Sequence, residues 1–300
     1  MIPRLDMTRL LGGHPEEIAQ LRRGAREVGF LVVGQTALRA GDVREVIAAY
    51  RRFFHMPESV KAEVDMTRTG ANRGWGASRS EQVDPAANPD YKEVFDCGFA
   101  LPASDPLAEL PVYAPNLWPD VPGFRDTVQG YYRAACGVAM DLLRVIAGAI
   151  VETPGYFGDK FDRPMALLRG NYYPARPDWA GEKDFGIAAH TDYGCLTLLA
   201  SDGVPGLEVQ TRDDKWVAVQ AEPGEFIINF GEMLEMWTGG EVRATPHRVR
   251  GSLQERISVP LFFNPNHDAD VAPLGAPEPI LAGAHLAKRF NETYLHLKKA

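Results

Sequence analysis

Cysteine is scarce in this sequence. Only three of the 300 residues are cysteine, namely Cys97, Cys136 and Cys195, and they lie far apart. An odd number of widely spaced cysteines excludes a disulfide framework and does not match the spacing of a zinc knuckle. This composition fits a reducing compartment. Because the segment after Met1 also lacks the apolar run of a signal peptide, we expect a cytoplasmic protein.

The chain also lacks a surplus of positive charge and a long apolar run. Its formal net charge is -8 and its pI is near 5.4. We therefore expect no binding to nucleic acid or to an anionic membrane surface. The longest apolar run, Val145–Val151, is far too short to span a bilayer. With 45% hydrophobic residues, the chain can still bury a full core, and we favour one structural unit.

The first part of the chain, residues 1–120, mixes helical and irregular segments. Helical spacing of apolar residues over Glu16–Glu27 leads into a short buried strand, Val28–Gly34. A second helix is predicted to start near Gly41. Gly, Pro, Asn and Asp are frequent over Thr67–Pro119, and an irregular stretch of this length is usually functional or disordered. We expect an N-terminal α/β region with a loop-rich lid that packs on the core.

The second part, residues 121–300, is predicted to hold the core. Asp120 is the predicted cap of a long supporting helix that ends near Ile150. Short strands separated by turn residues follow, and a closing helix is predicted over Leu281–Leu297. The predicted strands are Ala166–Tyr173, Gly186–Ala200, Leu207–Gln210, Trp216–Gln220, Glu225–Phe230, Arg248–Gly251 and Arg256–Phe263. This pattern predicts a mainly β fold with flanking helices, built as a sandwich or barrel.

One of these predicted strands carries His190-Thr191-Asp192. Residues two apart in a strand share a face, so the imidazole and the carboxylate could bind one ion. About one His-x-Asp/Glu triplet is expected by chance in such a chain, and His14-Pro15-Glu16 is a second example. His247 is the candidate third ligand, because two His and one carboxylate form the facial triad of non-haem iron sites. A structural His–Asp pair is the alternative.

Two predicted strands also place polar side chains together. Alternation puts Arg256 and Ser258 on one face of the last strand, opposite an apolar face. The same rule puts Arg169, Asn171 and Tyr173 on one face of the first strand of the core. A guanidinium with hydroxyl groups beside it suits a carboxylate ligand. The alternative for Arg256 is a surface salt bridge.

Many short motifs, taken in chain order, match one protein family. They are Ile2-Pro3-x-x-Asp6, Gly29-Phe30, Phe53-Phe54-x-x-Pro57, Lys92-Glu93-x-Phe95, Asn116-x-Trp118-Pro119, Asn171-Tyr172-Tyr173-Pro174, His190-Thr191-Asp192-Tyr193-Gly194, His247-Arg248-Val249 and Arg256-x-Ser258. Over nearly its whole length the sequence resembles the isopenicillin N synthase-like branch of the Fe(II)/2-oxoglutarate-dependent oxygenases.

This resemblance implies a fold, a set of cofactors and a reaction. The implied fold is a double-stranded β-helix, or jelly roll, with an N-terminal helical region. The implied reaction uses Fe(II), 2-oxoglutarate and O2 to oxidise, by hydroxylation in the leading interpretation, a small molecule, with release of succinate and carbon dioxide. The implied iron ligands are His190, Asp192 and His247, and the implied 2-oxoglutarate residues are Arg256, Ser258, Tyr173 and Asn171.

Substrate residues are indicated only by strand parity, by position next to a ligand or by location in the lid. The candidates are Arg169, Tyr193, Phe262, Arg73 and Phe95. Two arginines lining one site would favour an acidic or amino-acid-like small molecule. No feature of the sequence fixes an oligomeric state.

Three other functions stay open at this point. A same-fold Fe(II) oxidase without 2-oxoglutarate, like isopenicillin N synthase or aminocyclopropane-carboxylate oxidase, would keep the Arg-x-Ser pair, although Asn171-Tyr172-Tyr173 favours 2-oxoglutarate users. A non-catalytic jelly-roll binding protein is disfavoured by the complete ligand set. A zinc hydrolase can also use two His and a carboxylate, but the predicted ligands lie on strands, without a His-Glu-x-x-His helix.

Overall fold

The computed structural model describes residues 1–82, 88–151, 153–176, 178, 181, 186–273 and 275–293. The strands in these ranges are β1 Arg4–Asp6, β2 Phe30–Gly34, β3 Gly74–Gly76, β4 Glu93–Gly98, β5 Leu167–Tyr173, β6 Ile187–His190, β7 Leu196–Ser201, β8 Leu207–Gln210, β9 Trp216–Ala218, β10 Phe226–Phe230, β11 His247–Val249 and β12 Arg256–Phe263. The α-helices are α1 Met7–Leu11, α2 Pro15–Arg23, α3 Ala40–Phe54, α4 Glu58–Ala62, α5 Phe124–Ile146, α6 Glu232–Trp237 and α7 Ala282–Thr293.

Two sheets form the core. The large sheet has the strand order β1-β2-β10-β7-β12-β5-β4-β3, and the small sheet has the order β6-β11-β8-β9. Apolar side chains of both sheets pack in one cluster, with Phe30 and Leu199 from the large sheet and Leu207 and Val249 from the small one. The two sheets therefore face each other, as in the predicted double-stranded β-helix, and this prediction is confirmed.

Strand alternation separates the helix-facing core from the interior of the double-stranded β-helix. On β12, Ile257, Val259, Leu261 and Phe263 belong to the main hydrophobic cluster, which also holds the buried faces of α3 and α5. Arg256 and Ser258 point to the other side, between the two sheets. The parity predicted for this strand is thus observed, and it buries polar groups between the two sheets.

Helix α5 supports the large sheet from outside and begins later than predicted. Its N-cap is Gly123, with φ at 75°, and not Asp120. A turn closed by the Phe124 amide on the Val121 carbonyl, together with the left-handed glycine, delays the helix by one turn. With a π-helical extension the helix runs to Val151 and is long and apolar enough to cross a membrane, judged by length and composition alone. Its apolar face packs on α3, β7 and β12.

Two other predicted elements differ from the structure. The strand predicted over Gly186–Ala200 is two strands, because the chain turns between His190 and Leu196. Asp192 therefore lies in a turn and not on a strand. The closing helix spans Ala282–Thr293, and its predicted extension to Leu297 lies outside the described residues. The division of the chain near residue 120 stays a prediction.

Gly170 marks the closest approach of α3 to β5 and yields a stability prediction. A Cβ at Gly170 would lie 2.3 Å from Cδ1 of Tyr50, a fully buried ring. We expect Gly170→Ala to lower the free energy of unfolding by about 1–3 kcal/mol, because overpacking must displace that ring. Chemical denaturation measures this change.

Gly130 provides the matched control for that substitution. It lies within α5, and a Cβ added there would have no neighbouring atom within 4 Å outside the helix's own backbone. Gly130→Ala should therefore be neutral or stabilising by up to about 1 kcal/mol, since alanine favours the helix. Equal effects of the two substitutions would contradict the close approach at Gly170.

Candidate active site

The small sheet places two histidines side by side. His190 at the end of β6 pairs in register with His247 at the start of β11, and their ring centroids are 4.4 Å apart. The His190 ring donates its Nδ1–H to the Ala188 carbonyl at 2.8 Å, and the His247 ring donates to the Thr245 carbonyl at 3.0 Å. Each bond fixes the tautomer, so that both Nε2 atoms keep a lone pair for a metal ion.

Asp192 completes a three-sided arrangement. Its Oδ1 lies 3.8 Å from Nε2 of His190 and 3.7 Å from Nε2 of His247. Its Oδ2 accepts hydrogen bonds from Thr197 Oγ1 at 2.5 Å and from Asn229 Nδ2 at 2.6 Å. One carboxylate oxygen is thus held by the protein, and the other is directed at the imidazoles. The three ligand atoms lie within 4.8 Å of one another, which suits a single metal ion.

The turn that carries Asp192 is fixed by its neighbours. The Glu232 amide donates to the Asp192 carbonyl at 2.8 Å, and the Met233 amide donates to the Gly194 carbonyl at 3.1 Å. Asn264 Oδ1 accepts the Cys195 amide at 2.8 Å. These bonds tie the turn to α6 and to the end of β12. The carboxylate is therefore positioned rigidly, although it does not lie on a strand.

Burial and neighbouring groups set the protonation states of His190 and Asp192. Burial, reinforced by His247, lowers the pKa of His190 to about 4. Burial by itself would raise the pKa of Asp192, but the two imidazoles and the hydrogen bonds from Thr197 and Asn229 lower it overall. Near neutral pH the site therefore offers a neutral imidazole from His190 and an ionised carboxylate, which are the metal-binding forms.

A second polar group lies between the sheets, on β5 and β12. Arg256 pairs in register with Tyr173, and its guanidinium lies 5.1 Å from the centre of that ring. Arg256 Nε donates to the Val204 carbonyl at 3.1 Å. Ser258 pairs in register with Asn171. Arg256 Nη1 and Asn171 Oδ1 are buried and have no hydrogen-bond partner within the described parts of the chain. A buried guanidinium with an unused N–H beside a serine fits a carboxylate ligand such as that of 2-oxoglutarate.

A cavity of about 330 Å³ opens beside the triad. His190, Asp192 and Asn171 form part of one wall. The remaining walls come from the lid, from the ends of the large sheet and from α7. The residues they contribute include Ala71, Leu110, Val112, Met165, Phe262, His267, Gly283, Leu286 and Ala287. Most of these side chains are apolar, so the cavity can exclude water from a bound small molecule.

The family of the chain follows from sequence comparison. The model of the 2OG-Fe(II) oxygenase superfamily matches residues 164–265, and the model of the non-haem dioxygenase in morphine synthesis N-terminal region matches residues 2–121. A 2-oxoglutarate-dependent dioxygenase of Didymella fabae is 31% identical over an alignment of 300 positions, and the alignment covers 93% of this chain and 90% of that protein. The chain belongs to the 2OG-Fe(II) oxygenase superfamily.

Two further proteins are similar to the oxygenase over almost its whole length. A homoarginine-6-hydroxylase of Oryza sativa subsp. japonica is 30% identical over 291 residues, covering 91% of this chain and 88% of that protein. The crystal structure of a full-length Neurospora crassa protein in complex with alpha-KG and thymine superimposes with a TM-score of 0.85 at 26% identity, covering 97% and 96% of the two chains. The chain is thus a 2-oxoglutarate-dependent dioxygenase that uses Fe(II) and 2-oxoglutarate, as predicted.

The structure brings the predicted iron residues of the oxygenase together and gathers the predicted 2-oxoglutarate residues on neighbouring strands. His190, Asp192 and His247 form the triad of the family. The 2-oxoglutarate roles of Arg256, Ser258, Tyr173 and Asn171 remain predictions that fit the geometry. Among the predicted substrate residues, Tyr193 and Phe262 line the cavity.

Phe95, predicted as a substrate contact, is not among the residues that line the cavity. Its ring is fully buried, 4.9 Å from the ring of Phe53 and 5.1 Å from that of Phe124. On β4 it stands opposite Gly170, on the face that meets the helices. Position in the lid suggested exposure to substrate, but strand parity directs this side chain into the helix-facing core.

The two predicted substrate arginines line the cavity but are already used by the protein. Arg73 is 2% exposed, and its Nη2 donates to the Val112 carbonyl at 2.7 Å and to the Phe99 carbonyl at 3.2 Å. Arg169 is paired with Asp96 through Nε at 2.8 Å and Nη2 at 2.7 Å. Both guanidinium groups therefore already have hydrogen-bond partners within the protein.

Sequence reasoning missed the residues that orient Asp192. Thr197 and Asn229 are polar positions inside the leucine- and isoleucine-rich strands β7 and β10. A lone polar residue in an otherwise apolar buried strand is a usable signal, because a buried polar group needs a hydrogen-bond partner. The backbone carbonyl of Thr245 orients His247 by accepting its Nδ1–H.

Proposed function

We propose that this dioxygenase hydroxylates a small molecule bound in the cavity beside His190 and Asp192, with release of succinate and carbon dioxide. One observation carries the proposal. His190 and Asp192 of the triad form part of the cavity wall, while Arg256 and Ser258 lie between the sheets on β12, opposite Tyr173 and Asn171 of β5. A substrate and a keto-acid can therefore be held at the same metal from different sides.

The residues of the chain have separate tasks in this reaction. Nε2 of His190, Nε2 of His247 and Oδ1 of Asp192 would hold Fe(II). Arg256 and Ser258 would bind the far carboxylate of 2-oxoglutarate. When both are bound, Fe(II) and 2-oxoglutarate supply the oxidative chemistry, with O2 as the oxidant.

The cavity wall holds the substrate and excludes water. Phe262, Leu286 and Val112 surround the space beside the triad with apolar surface. Tyr193 follows the carboxylate ligand directly, and its ring is covered by the Arg289 guanidinium of α7 at 4.5 Å. These contacts would place apolar surface around a bound substrate and limit its exposure to bulk solvent.

A small-molecule substrate is supported by the relatives as well as by the cavity. The rice relative is named for homoarginine, and the Neurospora protein holds thymine in its crystal structure. The expectation of an acidic or amino-acid-like substrate rested on two free arginines. Arg169 is paired with Asp96, and Arg73 is hydrogen-bonded to backbone carbonyls. The two arginines therefore no longer support an acidic or amino-acid-like substrate.

Anaerobic loading with Fe(II) and 2-oxoglutarate, followed by O2 and a panel of small molecules, tests the proposal. We expect an iron–keto-acid absorption band, succinate formation that the correct substrate stimulates, and a product heavier by one oxygen atom. If neither the iron–keto-acid absorption band nor succinate were detected with a broad panel of small molecules, the proposal would be refuted. Product formation that proceeds without 2-oxoglutarate would instead identify a same-fold oxidase.

A further inference from the structure

Helix α7 forms one wall of the cavity. Gly283, Leu286 and Ala287 line the same space as His190 and Asp192, and these three residues are called the α7 wall below. Leu286 is fully packed, and a Cβ at Gly283 would lie only 2.1 Å from the side chain of the neighbouring loop after β12. A small molecule in the cavity would therefore contact this helix directly.

The same helix also contacts the metal-binding turn, residues 191–195. Nε2 of His285 lies 3.1 Å from the Tyr193 carbonyl oxygen, a hydrogen bond in which the imidazole donates. The Arg289 guanidinium lies 4.5 Å from the centre of the Tyr193 ring. Both contacts are made to the residue that follows Asp192. Helix α7 thus connects the cavity to the segment that carries the charged metal ligand.

Glu232, at the start of α6, joins the turn and the helix through one atom. Its Oε1 accepts a hydrogen bond from Thr191 Oγ1 at 2.5 Å and a second one from Arg289 Nη2 at 2.8 Å. Its backbone amide donates to the Asp192 carbonyl at 2.8 Å. Glu232 therefore holds the metal-binding turn by its backbone and its side chain, and it holds α7 by the same carboxylate oxygen.

The ion pair between Glu232 and Arg289 is partly exposed on both sides. A pair with this exposure contributes little to the stability of the whole fold. Its importance comes from its place, because it lies where the metal-binding turn meets the α7 wall. A contact that both sites share is able to transmit a change in one of them to the other.

We propose that Glu232 is a positioning residue that couples the α7 wall to the metal-binding turn, so that a metal ion at the triad and a small molecule against α7 strengthen each other's binding. The proposal rests on the proposed function, which assigns the metal to the triad and the substrate to the cavity.

The coupling follows from the order of the contacts. With Asp192 held by a metal ion, Thr191 is restricted as well, and it orients the Glu232 carboxylate. The oriented carboxylate then holds Arg289 and, with it, the α7 wall. Because coupling between two sites is reciprocal, a wall that is held in place favours metal binding by the same factor.

Hydrogen exchange measured with and without the metal tests the coupling without a known substrate. The enzyme is compared anaerobically in its metal-free form and with saturating Fe(II) and 2-oxoglutarate. We expect loading to slow the exchange of the α7 amides about tenfold. In Glu232→Leu, which removes the shared acceptor, loading should slow them less than about twofold. Glu232→Gln keeps an acceptor oxygen and should give an intermediate response.

Glu208→Leu is the matched control. Glu208 Oε2 accepts a hydrogen bond from Arg248 Nε at 2.7 Å, and this partly exposed ion pair lies beside the metal ligand His247. Neither Glu208 nor Arg248 lines the cavity. We expect Glu208→Leu to keep the metal-dependent protection of α7. If Glu208→Leu lost that protection as Glu232→Leu does, the specific role of Glu232 would be contradicted.

The affinity for Fe(II) gives a second, independent measurement. Glu232→Leu should weaken anaerobic Fe(II) binding roughly tenfold, as loss of a group that orients a metal ligand does. Arg289→Gln, a change on α7, should weaken it roughly threefold. The double variant should bind Fe(II) no more weakly than Glu232→Leu alone, because both substitutions break one connection. Additive losses would overturn the proposal.

The outcomes separate this inference from the proposed function. If Fe(II) binds but α7 exchanges at the same rate in both forms, the coupling is refuted and the metal assignment stands. The coupling by Glu232 is also refuted if Glu232→Leu keeps the full metal-dependent protection. If the unaltered enzyme binds no Fe(II), both the coupling and the proposed function are refuted. Should Glu232→Leu fail to fold, Arg289→Gln breaks the same ion pair and must show the same reduced protection.

Discussion

Replacing Asp192 with alanine is expected to abolish succinate formation and to weaken Fe(II) binding by roughly 100-fold or more. Asp192 supplies the charged ligand of the triad, and its Oδ1 lies 3.8 and 3.7 Å from the two histidine Nε2 atoms. Without it, two neutral imidazoles would have to hold a divalent cation. Anaerobic Fe(II) titration, followed by addition of 2-oxoglutarate and O2 and an assay for succinate, measures the two effects.

Thr197→Val is the matched control for that substitution. It keeps the Asp192 carboxylate but removes the donor that holds Oδ2 at 2.5 Å. Loss of such an orienting bond typically costs about 10- to 100-fold in metal affinity or activity. We expect Thr197→Val to bind iron detectably and to retain some turnover. If Asp192→Ala bound iron with the same affinity as the unaltered enzyme, the metal assignment would be refuted.

The parts of the site that alternation controls could be read from the sequence. Arg256 and Ser258 share a face of β12, and Asn171 shares a face with Tyr173 on β5, because side chains in a strand point to opposite faces in turn. The register that sets Ser258 opposite Asn171 is a property of the sheet, and the sequence alone does not contain it. Alternation therefore predicted the faces, and the fold supplied the pairing.

The turn at Asp192 shows where a local pattern misleads. Cys195, Leu196 and most of the residues after them are apolar, so the sequence from β6 to β7 resembles one continuous strand. The chain turns instead, because the amides of Glu232 and Met233 at the start of α6 bind carbonyls of the turn. Those bonds join segments far apart in sequence. No local propensity could have indicated them.

The arginines show a second limit of sequence reasoning. Arg169 and Arg256 are both buried on the same side of adjacent strands. Arg169 is matched by Asp96 on the neighbouring strand β4, whereas Arg256 keeps a buried N–H without a partner in the described chain. Strand parity makes the same prediction for both arginines. Only the partners of each guanidinium in the folded structure distinguish a structural arginine from one that can bind a ligand.

Arg256→Gln is expected to raise the KM for 2-oxoglutarate while Fe(II) affinity stays unchanged. Arg256 can offer a buried guanidinium N–H to a carboxylate, and removing one side of a buried charge pair costs about 2–4 kcal/mol, or roughly 30- to 1000-fold in KM. The triad does not contact Arg256 through any described hydrogen bond, so iron should bind as before. Steady-state kinetics at varied 2-oxoglutarate and anaerobic Fe(II) titration separate the two quantities.

Two controls decide between a binding role and a structural role for Arg256. Arg256→Lys keeps the positive charge but loses the planar fork, so its KM should lie between those of the unaltered enzyme and Arg256→Gln. Ser258→Ala removes one hydroxyl and should raise KM by about tenfold or somewhat more, because a single hydrogen bond to a charged group is worth about 1.5 kcal/mol or somewhat more. If Arg256→Gln weakened iron and 2-oxoglutarate binding equally, the side chain would serve the packing between the sheets, where it lies over the Tyr173 ring.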